Sequence, residues 1–237
     1  MAMETDEPCA NTVDREDATE VGKYRPQAYL WASLALLMVI FPFIQGPSSS
    51  SAFTILFTLL LGAAVMTIRG GRWLKVVALL SLAASVASRL AFMLTGEVWL
   101  EPLSYLFATT TLAWVTVFLF LSLFETKEVT STTLWEAVSV YILIGLTWAS
   151  VFTIVETTSP GSFEDTSLPG AAMNFPTFIY YSFVTLATLG YGDIVPMSQE
   201  ARGLAIMEAL TGVLYMAILI SRLVGTWRPR RKDEEKE

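Results

Sequence analysis

The chain alternates long apolar stretches with short polar connections, and this pattern predicts its main elements. A helix that crosses the hydrocarbon core of a bilayer needs about 20 mainly apolar residues. Six stretches reach or approach that length, and the second of them is the shortest. They cover residues 28–45, 52–68, 73–94, 103–124, 134–155 and 202–224. The pattern therefore predicts an all-α membrane protein with six transmembrane helices.

A further apolar stretch lies between the fifth and sixth predicted spans and differs from them in length. It runs from Pro176 to Ala187, and about 12 residues are too few to cross a bilayer. A segment of this kind suits a re-entrant helix that enters and leaves the membrane on one side. The negative end of its dipole would lie at the carboxyl end, where it favours a bound cation.

Composition supports the membrane assignment and narrows the functional classes. The chain is 54% hydrophobic and only 16% charged, and its mean hydropathy is +0.55, which is too apolar for an ordinary soluble domain. There is no histidine and one cysteine, Cys9, so the sequence predicts neither a disulfide framework nor a zinc cluster. No nucleophile, base and orienting group occur together. We therefore expect no enzyme activity, no organic cofactor and no nucleic-acid partner.

The charged residues divide between the two ends of the predicted spans, and this division predicts the orientation. Basic residues resist translocation and mark the cytoplasmic connections. With both termini cytoplasmic in a cell membrane, the connections on the inner side hold Lys23, Arg25, Arg69, Arg72, Lys75, Lys127, Arg222, Arg228, Arg230, Arg231 and Lys232. The outer connections hold Glu97, Glu101, Glu156, Glu164, Asp165, Asp193 and Glu200, with Arg202 as an exception.

The fourth predicted span lacks the residues that a voltage sensor needs. Each elementary charge that crosses the membrane field contributes only about 2.3 kcal/mol per 100 mV, so a sensor carries several arginines or lysines. Leu103 to Phe124 contains none. Arg89 is the one basic residue deep in this half of the chain, and we expect it to pair with Glu97 or Glu101 or to reach the interface. The first four spans are predicted to form a bundle that does not sense voltage.

The segment that follows the short apolar stretch has a specific backbone requirement. It reads Thr188-Leu189-Gly190-Tyr191-Gly192-Asp193. Gly190 and Gly192 are able to adopt left-handed dihedrals without a Cβ clash, so alternate residues can turn successive carbonyls towards the same side. Thr188 can add its hydroxyl to that row, and Asp193 places a carboxylate at the outer end. The alternative is a glycine-rich surface turn.

The stretch from Tyr180 to Pro196, YYSFVTLATLGYGDIVP, resembles the pore loop of tetrameric potassium channels. In that family, four loops that read TVGYG replace the hydration shell of K⁺ with backbone carbonyl oxygens. The resemblance implies that K⁺ is the transported ion and that four identical subunits form the pore. It also implies that the ligands are the carbonyls of Thr188, Leu189, Gly190 and Tyr191 and the Thr188 hydroxyl, with Gly192 completing the filter.

The same resemblance assigns supporting roles to residues around this filter. Tyr180 and Tyr181 fall where the family usually carries a tryptophan pair, and Tyr181 is a candidate partner of Asp193. Thr185 matches a second family threonine. Leu189 departs from the usual valine, so a weakly selective monovalent cation channel is an alternative. A non-conducting scaffold or transporter subunit is another.

The sixth predicted span carries three features of interest. Gly212 stands where many family members have an inner-helix hinge, although glycine equally permits close helix packing. Glu208 is a carboxyl in an apolar helix and needs a partner or a function. We expect it to bond to Ser182 or Thr185, either as a structural contact or as a pH sensor. An apolar stripe is predicted to line the cavity and inner gate, with lipid contact as the alternative. It comprises Val213, Met216, Ile220 and Val224.

These features divide the chain into four predicted regions. The connection from Glu156 to Phe175 is rich in turn residues and is expected to be an exposed loop. The cluster Arg228, Arg230, Arg231 and Lys232 is a candidate site for anionic lipid headgroups, or only a topology signal. The regions are an acidic, disordered cytoplasmic tail (1–27), a four-helix transmembrane domain (28–125), a pore domain (133–224) and a short charged cytoplasmic tail (225–237).

Overall fold

The structure, a computed structural model, is built almost entirely from helices. It describes residues 30–39, 49–67, 72–97, 99–125, 131–171 and 173–226, without the side chains of 49–55, 125, 131–132 and 223–226. The elements of this part of the chain are α1 (Leu30–Val39), α2 (Ser49–Met66), α3 (Arg72–Thr95), α4 (Leu100–Glu125), α5 (Ser131–Thr158), β1 (Phe163–Asp165), α6 (Phe175–Leu186), β2 (Ile194–Pro196) and α7 (Gln199–Thr226).

Four helices of the described chain are long and apolar enough to cross a membrane, namely α3, α4, α5 and α7. Each extends the corresponding predicted span by one to three residues at its ends. The helix α2 has 18 residues, or about 27 Å of length at 1.5 Å per residue. The described part of α1 is shorter still. Residues 28, 29 and 40–45 of the first predicted span lie outside the described residues, so the count of six spans stays a prediction.

The helix α4 lies between α3 and α5 and packs along both of them. Leu112 on α4 and Leu143 and Leu146 on α5 are completely buried. Hydroxyls add polar contacts between α3 and α4, such as Ser81 Oγ at 2.8 Å from Thr111 Oγ1. The two elements of each pair run in opposite directions, which the short connections require.

The interface between α3 and α4 also contains the ion pair that the sequence predicts. Arg89 Nη1 lies 3.7 Å from Glu101 Oε1, so Glu101 is the partner among the two candidates. The guanidinium also lies 5.8 Å from the centroid of the Tyr105 ring. The basic residue is therefore tied to the bundle by its neighbours on α4.

The helix α6 packs between α5 and α7, and its first residue also contacts the amino-terminal bundle. The Phe175 ring lies 4.8 Å from the Phe57 ring on α2 and 5.9 Å from the Tyr105 ring on α4. Phe57 of α2 and Tyr105 of α4 thus support the start of α6.

The connection between α5 and α6 is more ordered than the exposed loop that the sequence predicts. Its strand β1 pairs with β2 in antiparallel register, with Glu164 opposite Val195. Phe163 is buried, and its backbone N–H donates to Glu156 Oε2 at 3.1 Å. Most of the connection is exposed, as the sequence predicts, while the Phe163 side chain packs inward and fixes the strand.

Candidate functional site

The short helix α6 begins with local signals that the sequence contains. The Asn174 side chain caps its amino terminus by accepting a hydrogen bond from the Thr177 N–H at 3.0 Å. Pro176 lies in the first turn, where its missing N–H costs no hydrogen bond. The helix ends at Leu186, and the Ala187 N–H closes the last turn by donating to Phe183 O at 3.0 Å.

Two glycines allow α6 to approach its neighbours closely. A Cβ at Gly145 on α5 would lie 2.8 Å from two ring atoms of Phe183. A Cβ at Gly212 on α7 would lie 2.1 Å from the backbone oxygen of Leu186, at the carboxyl end of α6. The helix α7 is continuous through Gly212. The structure therefore uses Gly212 for close packing, which is one of the two readings of the sequence, and the hinge stays a prediction.

The loop that follows α6 starts from a fixed position at the helix end. The Thr188 N–H donates to Thr185 O at 2.9 Å, and the Leu189 N–H donates to Val184 O at 2.9 Å. These bonds occupy carbonyls that the end of a helix otherwise leaves without partners. The first residues of the loop are consequently held against the last turn of α6.

The backbone of this loop alternates between left-handed residues, with positive φ, and residues of ordinary negative φ. Gly190 and Gly192 have φ values of 55° and 77°, and Thr188 has a φ of 57°. Leu189 and Tyr191 are not among the residues of positive φ. Positive φ is unusual for a β-branched residue and marks a constrained position. The positive φ values of the two glycines agree with the sequence argument. Thr188 adds a third left-handed position, which the sequence did not predict because the residue is not a glycine.

Asp193 fixes the outer end of the loop through both carboxylate oxygens. The Tyr180 hydroxyl donates to Asp193 Oδ2 at 2.6 Å, and the Ile194 N–H donates to Asp193 Oδ1 at 3.0 Å. The prediction that Tyr181 is the partner of Asp193 is wrong, because Tyr180 makes this contact. Adjacent residues on a helix point about 100° apart, and the rotation of α6 turns Tyr180 towards Asp193.

The hydrogen bond to Asp193 raises the pKa of the Tyr180 phenol to about 12, with burial as a smaller cause. The hydroxyl consequently stays protonated at physiological pH and remains a donor. Tyr181 instead packs in an aromatic cluster with Phe152 of α5 and Phe163 of β1, at ring distances of 5.1 Å and 5.4 Å. The two tyrosines therefore support the loop in different ways.

We expect Tyr180→Phe to weaken the outer end of the loop, because it removes the donor to Asp193 and keeps the ring. A hydrogen bond to a charged group contributes about 1.5–3 kcal/mol, and this half-buried pair belongs at the lower end. The measurement is the rate at which K⁺ flux from liposomes that contain the protein decays with time. Tyr181→Phe is the matched control and should leave that rate unchanged. Equal effects of the two variants would contradict the assignment.

Thr166, in the connection between β1 and α6, is a contact residue that the sequence did not indicate. Its hydroxyl lies 3.2 Å from Gly192 O and 3.0 Å from Asp193 O, and its N–H donates to Asp193 O at 2.7 Å. The pairing of β1 with β2 brings this threonine to the loop from 26 residues away. The hydroxyl has one proton, so it donates to one of these two carbonyls at a time, and Gly192 O is within its reach.

We expect Thr166→Val to loosen the outer end of the loop without changing the shape of the side chain. The loss of a neutral hydrogen bond costs about 0.5–1.5 kcal/mol, so the effect should be smaller than that of Tyr180→Phe. The same flux-decay assay measures it. Thr166→Ser retains the hydroxyl and should behave as the wild type, and a serine variant that matches the valine variant would contradict this role.

A cavity of about 610 Å³ opens below the loop, between α5 and α7. Val213 and Met216 line it together with Thr188. Ile220 is exposed on the same helix but is not among the lining residues, and the Val224 side chain lies outside the described residues. Two members of the predicted apolar stripe thus face a space that the loop also borders.

Glu208 lies behind α6 and is completely buried. Its Oε1 is hydrogen-bonded to Ser182 Oγ, which also lies 2.7 Å from Gly145 O. Ser182 is therefore the partner among the two that the sequence suggested. Within the described chain, Glu208 Oε2 has no hydrogen-bond partner.

The side of the loop that faces away from α6 is open in the single chain. Leu189 and Tyr191 are 57% and 66% exposed, and a Cβ at Gly190 or Gly192 would meet nothing within 4 Å. Large apolar side chains along α7 are exposed on the same helix that borders the cavity, among them Ile206, Leu210 and Leu214. Exposed apolar surface of this extent marks a contact with another protein chain or with a membrane.

Comparison with known proteins assigns the carboxyl-terminal half. Residues 140–227 match a family model described as an ion channel. Protein LctB of Bacillus caldotenax is 30% identical over 110 residues, which cover 44% of this chain and 80% of the relative. Two-pore potassium channel 4 of Arabidopsis thaliana is 41% identical over 51 residues, or 22% of this chain and 18% of the relative.

A third relative is also named as a potassium channel. The inward rectifier potassium channel Kirbac3.1 of Paramagnetospirillum magnetotacticum is 32% identical over 79 residues, or 33% of this chain and 23% of the relative. The chain thus spans most of LctB but about a fifth of the two named channels. No solved structure matches. Together with the four long apolar helices, these similarities indicate a multi-pass membrane protein of a transport class.

Proposed function

The chain belongs to the family of pore-loop potassium channels, and from this premise we propose that it conducts K⁺ passively and selectively through a homotetrameric pore. The observation that carries the proposal is the alternating backbone at Thr188, Gly190 and Gly192. A backbone that alternates in hand turns successive carbonyls towards one side, where they can replace the hydration shell of a cation.

The proposed ligands for K⁺ are the carbonyls of Thr188, Leu189, Gly190 and Tyr191 and the hydroxyl of Thr188. Two contacts support this choice at the ends of the row. Thr188 and Leu189 are held by α6 through their N–H groups, which leaves their carbonyls available. The Gly192 carbonyl is within reach of the Thr166 hydroxyl, so the row of proposed ligands ends before it.

Four subunits are proposed because one chain supplies one loop. A dehydrated K⁺ needs oxygen ligands on all sides, and closed cyclic symmetry is the simplest way for identical chains to provide them. The open side of the loop, with Leu189 and Tyr191 exposed, supports an assembly on this face. The cavity lined by Val213 and Met216 would then border the axis below the filter.

The proposed orientation places the filter mouth outside a cell membrane and both termini in the cytoplasm. The charge division along the sequence supports it, with Asp193 at the outer mouth. The basic cluster Arg228, Arg230, Arg231 and Lys232 lies outside the described residues, and its binding of anionic lipid headgroups is part of the proposal. Each basic residue near the surface contributes about 1 kcal/mol to such binding.

We also propose that the four amino-terminal helices support the pore without an arginine-based voltage sensor. The helix α4, over Leu100–Glu125, contains no arginine or lysine. It contacts α6 through Tyr105 and Phe175, and α7 through Phe120 and Tyr215, whose ring centroids are 6.1 Å apart. The bundle thus touches both the start of α6 and the inner part of α7.

The proposal is tested by counting subunits and measuring flux on the same purified protein. Chemical cross-linking in detergent should give four bands that end at the tetramer. Liposomes loaded with K⁺ should lose it only when they contain the protein, with or without a membrane potential. A protein that stays monomeric, or a tetramer that releases no K⁺, would support the scaffold alternative and contradict the proposal.

A further inference from the structure

The pore helix α6 is joined to both of its neighbours at a single buried side chain, Ser182. Its Oγ lies 2.7 Å from Gly145 O on α5 and is hydrogen-bonded to Glu208 Oε1 on α7. Ser182 and Glu208 are completely buried. The hydrogen bonds among these three helices depend on where the hydroxyl proton of Ser182 points and on whether Glu208 carries a proton.

Ser182 has one hydroxyl proton for two contacts. The Gly145 carbonyl carries no proton and only accepts. If the hydroxyl donates to Gly145 O, its contact with Glu208 is satisfied only when the carboxyl carries a proton and donates it to Ser182 Oγ. If the carboxyl is ionised, it competes for the same hydroxyl proton, and Gly145 O loses its hydrogen bond from α6 while it keeps the one within its own helix.

The surroundings of Glu208 do not compensate an ionised carboxylate. Its Oε2 has no hydrogen-bond partner in the described chain, and a buried charge without a partner is strongly unfavourable. The titratable groups that face it are Tyr141 of α5 and Tyr181 of α6, and neither is basic. On α7 itself, Leu204 and Gly212 lie one turn to either side and do not ionise.

The helix α4 also lies near this part of α7, and the residues that it places there are uncharged. The groove beside Thr211 is bordered on α4 by Ala113, Thr116 and Val117 and on α5 by Thr147 and Trp148. None of these side chains ionises in the physiological range. The neutral form of Glu208 is therefore the form that fits all of its contacts.

We propose that Glu208 is a regulatory proton-binding site whose bound proton completes a hydrogen-bond chain from α7 through Ser182 of α6 to Gly145 of α5. Loss of the proton turns the Ser182 hydroxyl towards Glu208 and breaks its hydrogen bond to α5. Since α6 holds Thr188 and Leu189 through its last carbonyls, this change reaches the filter. The effects on conduction and on assembly rest on the proposed function, whereas the protonation of Glu208 does not.

The test compares Glu208→Gln with the wild type from neutral to alkaline pH, equal on both sides of the membrane. An amide keeps an uncharged donor at this position and removes the titration. Glu200→Gln is the matched control, because Glu200 is an exposed carboxyl in the first turn of the same helix. The readouts are the K⁺ flux from liposomes and the temperature at which the tetramer dissociates in detergent.

In the wild type and in Glu200→Gln, alkaline pH should change the K⁺ flux and lower the dissociation temperature, and Glu208→Gln should lose both responses. Infrared difference spectra at neutral pH should show the C=O stretch of a protonated carboxyl that disappears in Glu208→Gln only. Unchanged pH responses in Glu208→Gln, or the absence of that band in the wild type, would overturn the proposal.

Two further outcomes are informative. A Glu208→Gln variant that does not assemble at neutral pH would also overturn the proposal, because an uncharged hydrogen-bonding side chain would then be insufficient. Absence of K⁺ flux from the wild type at every pH would instead contradict the proposed function. The infrared band would still decide whether Glu208 binds a proton.

Discussion

Gly212→Ala is expected to abolish K⁺ flux and to lower the temperature at which the subunits dissociate. The added methyl group would lie 2.1 Å from Leu186 O, so α7 and the end of α6 would have to separate. Overpacking of a tight interior costs about 1–3 kcal/mol, and a backbone atom yields less than a flexible side chain. Because Leu186 is the last residue of α6, the displacement reaches Thr188 directly.

Gly203→Ala provides the matched control for this substitution. Gly203 lies on the same helix, and a Cβ there would meet nothing within 4 Å. Alanine favours a helix over glycine by about 1 kcal/mol, so this variant should assemble as well as the wild type or slightly better. Normal flux and assembly in Gly212→Ala would show that α7 does not pack against α6 in this way.

Gly190→Ala is expected to remove K⁺ selectivity. Gly190 has a φ of 55°, and a left-handed conformation costs an L-residue with a Cβ about 1–2 kcal/mol. Four subunits would each carry this cost, so a loop that relaxes to negative φ becomes favourable and turns its carbonyl away. The preference for K⁺ over Na⁺ should fall by about tenfold or more, since 1.4 kcal/mol corresponds to a factor of ten.

The control is a glycine with the same backbone strain far from the filter. Gly96, between α3 and α4, has a φ of 71° and also has open space around its Cβ position. Gly96→Ala should lower the stability by a similar amount for each subunit and leave the preference for K⁺ unchanged. The two variants are compared by ion flux with K⁺ or Na⁺ as the main cation. Equal losses of selectivity would mean that strain alone, and not the position of the Gly190 carbonyl, explains the result.

Much of the fold follows from hydrophobic length and from glycine. The long helices α3, α4, α5 and α7 lie within three residues of the apolar stretches that predict them. The short helix α6 begins one residue before Pro176 and ends one residue before Ala187. These features are local, because the length of an apolar run and the sites of proline and glycine depend on neighbouring residues only.

The contacts of the site depend on the rotation of helices, which an apolar sequence does not specify. In an almost wholly apolar helix such as α6, periodicity does not select a face, and Tyr180 and Tyr181 are equally plausible partners for Asp193. The same limit applies to Gly212, whose role depends on the carbonyl of Leu186 lying opposite. The partner of Glu208 was easier to predict than that of Asp193, because a buried carboxyl needs a polar partner and few hydroxyls were within reach.

Other contacts join residues that are far apart in the sequence. Thr166 reaches Gly192 O because a three-residue strand pairs with another that directly follows the loop, and strands this short have no distinctive pattern. The Gly145 carbonyl is a backbone group that no side-chain motif marks. The positive φ of Thr188 likewise could not be predicted from its residue type, since β-branched residues disfavour that conformation.

The central claim is that four copies of the loop from Thr188 to Gly192 exchange the water around K⁺ for backbone oxygens and reject Na⁺. The most direct measurement is the reversal potential of purified protein in a bilayer, with K⁺ on one side and Na⁺ on the other at equal concentration. Selective conduction predicts a reversal potential far from zero, with the K⁺ side negative, because K⁺ would then permeate much more readily than Na⁺. A reversal potential near zero would contradict the claim and indicate a weakly selective cation pore.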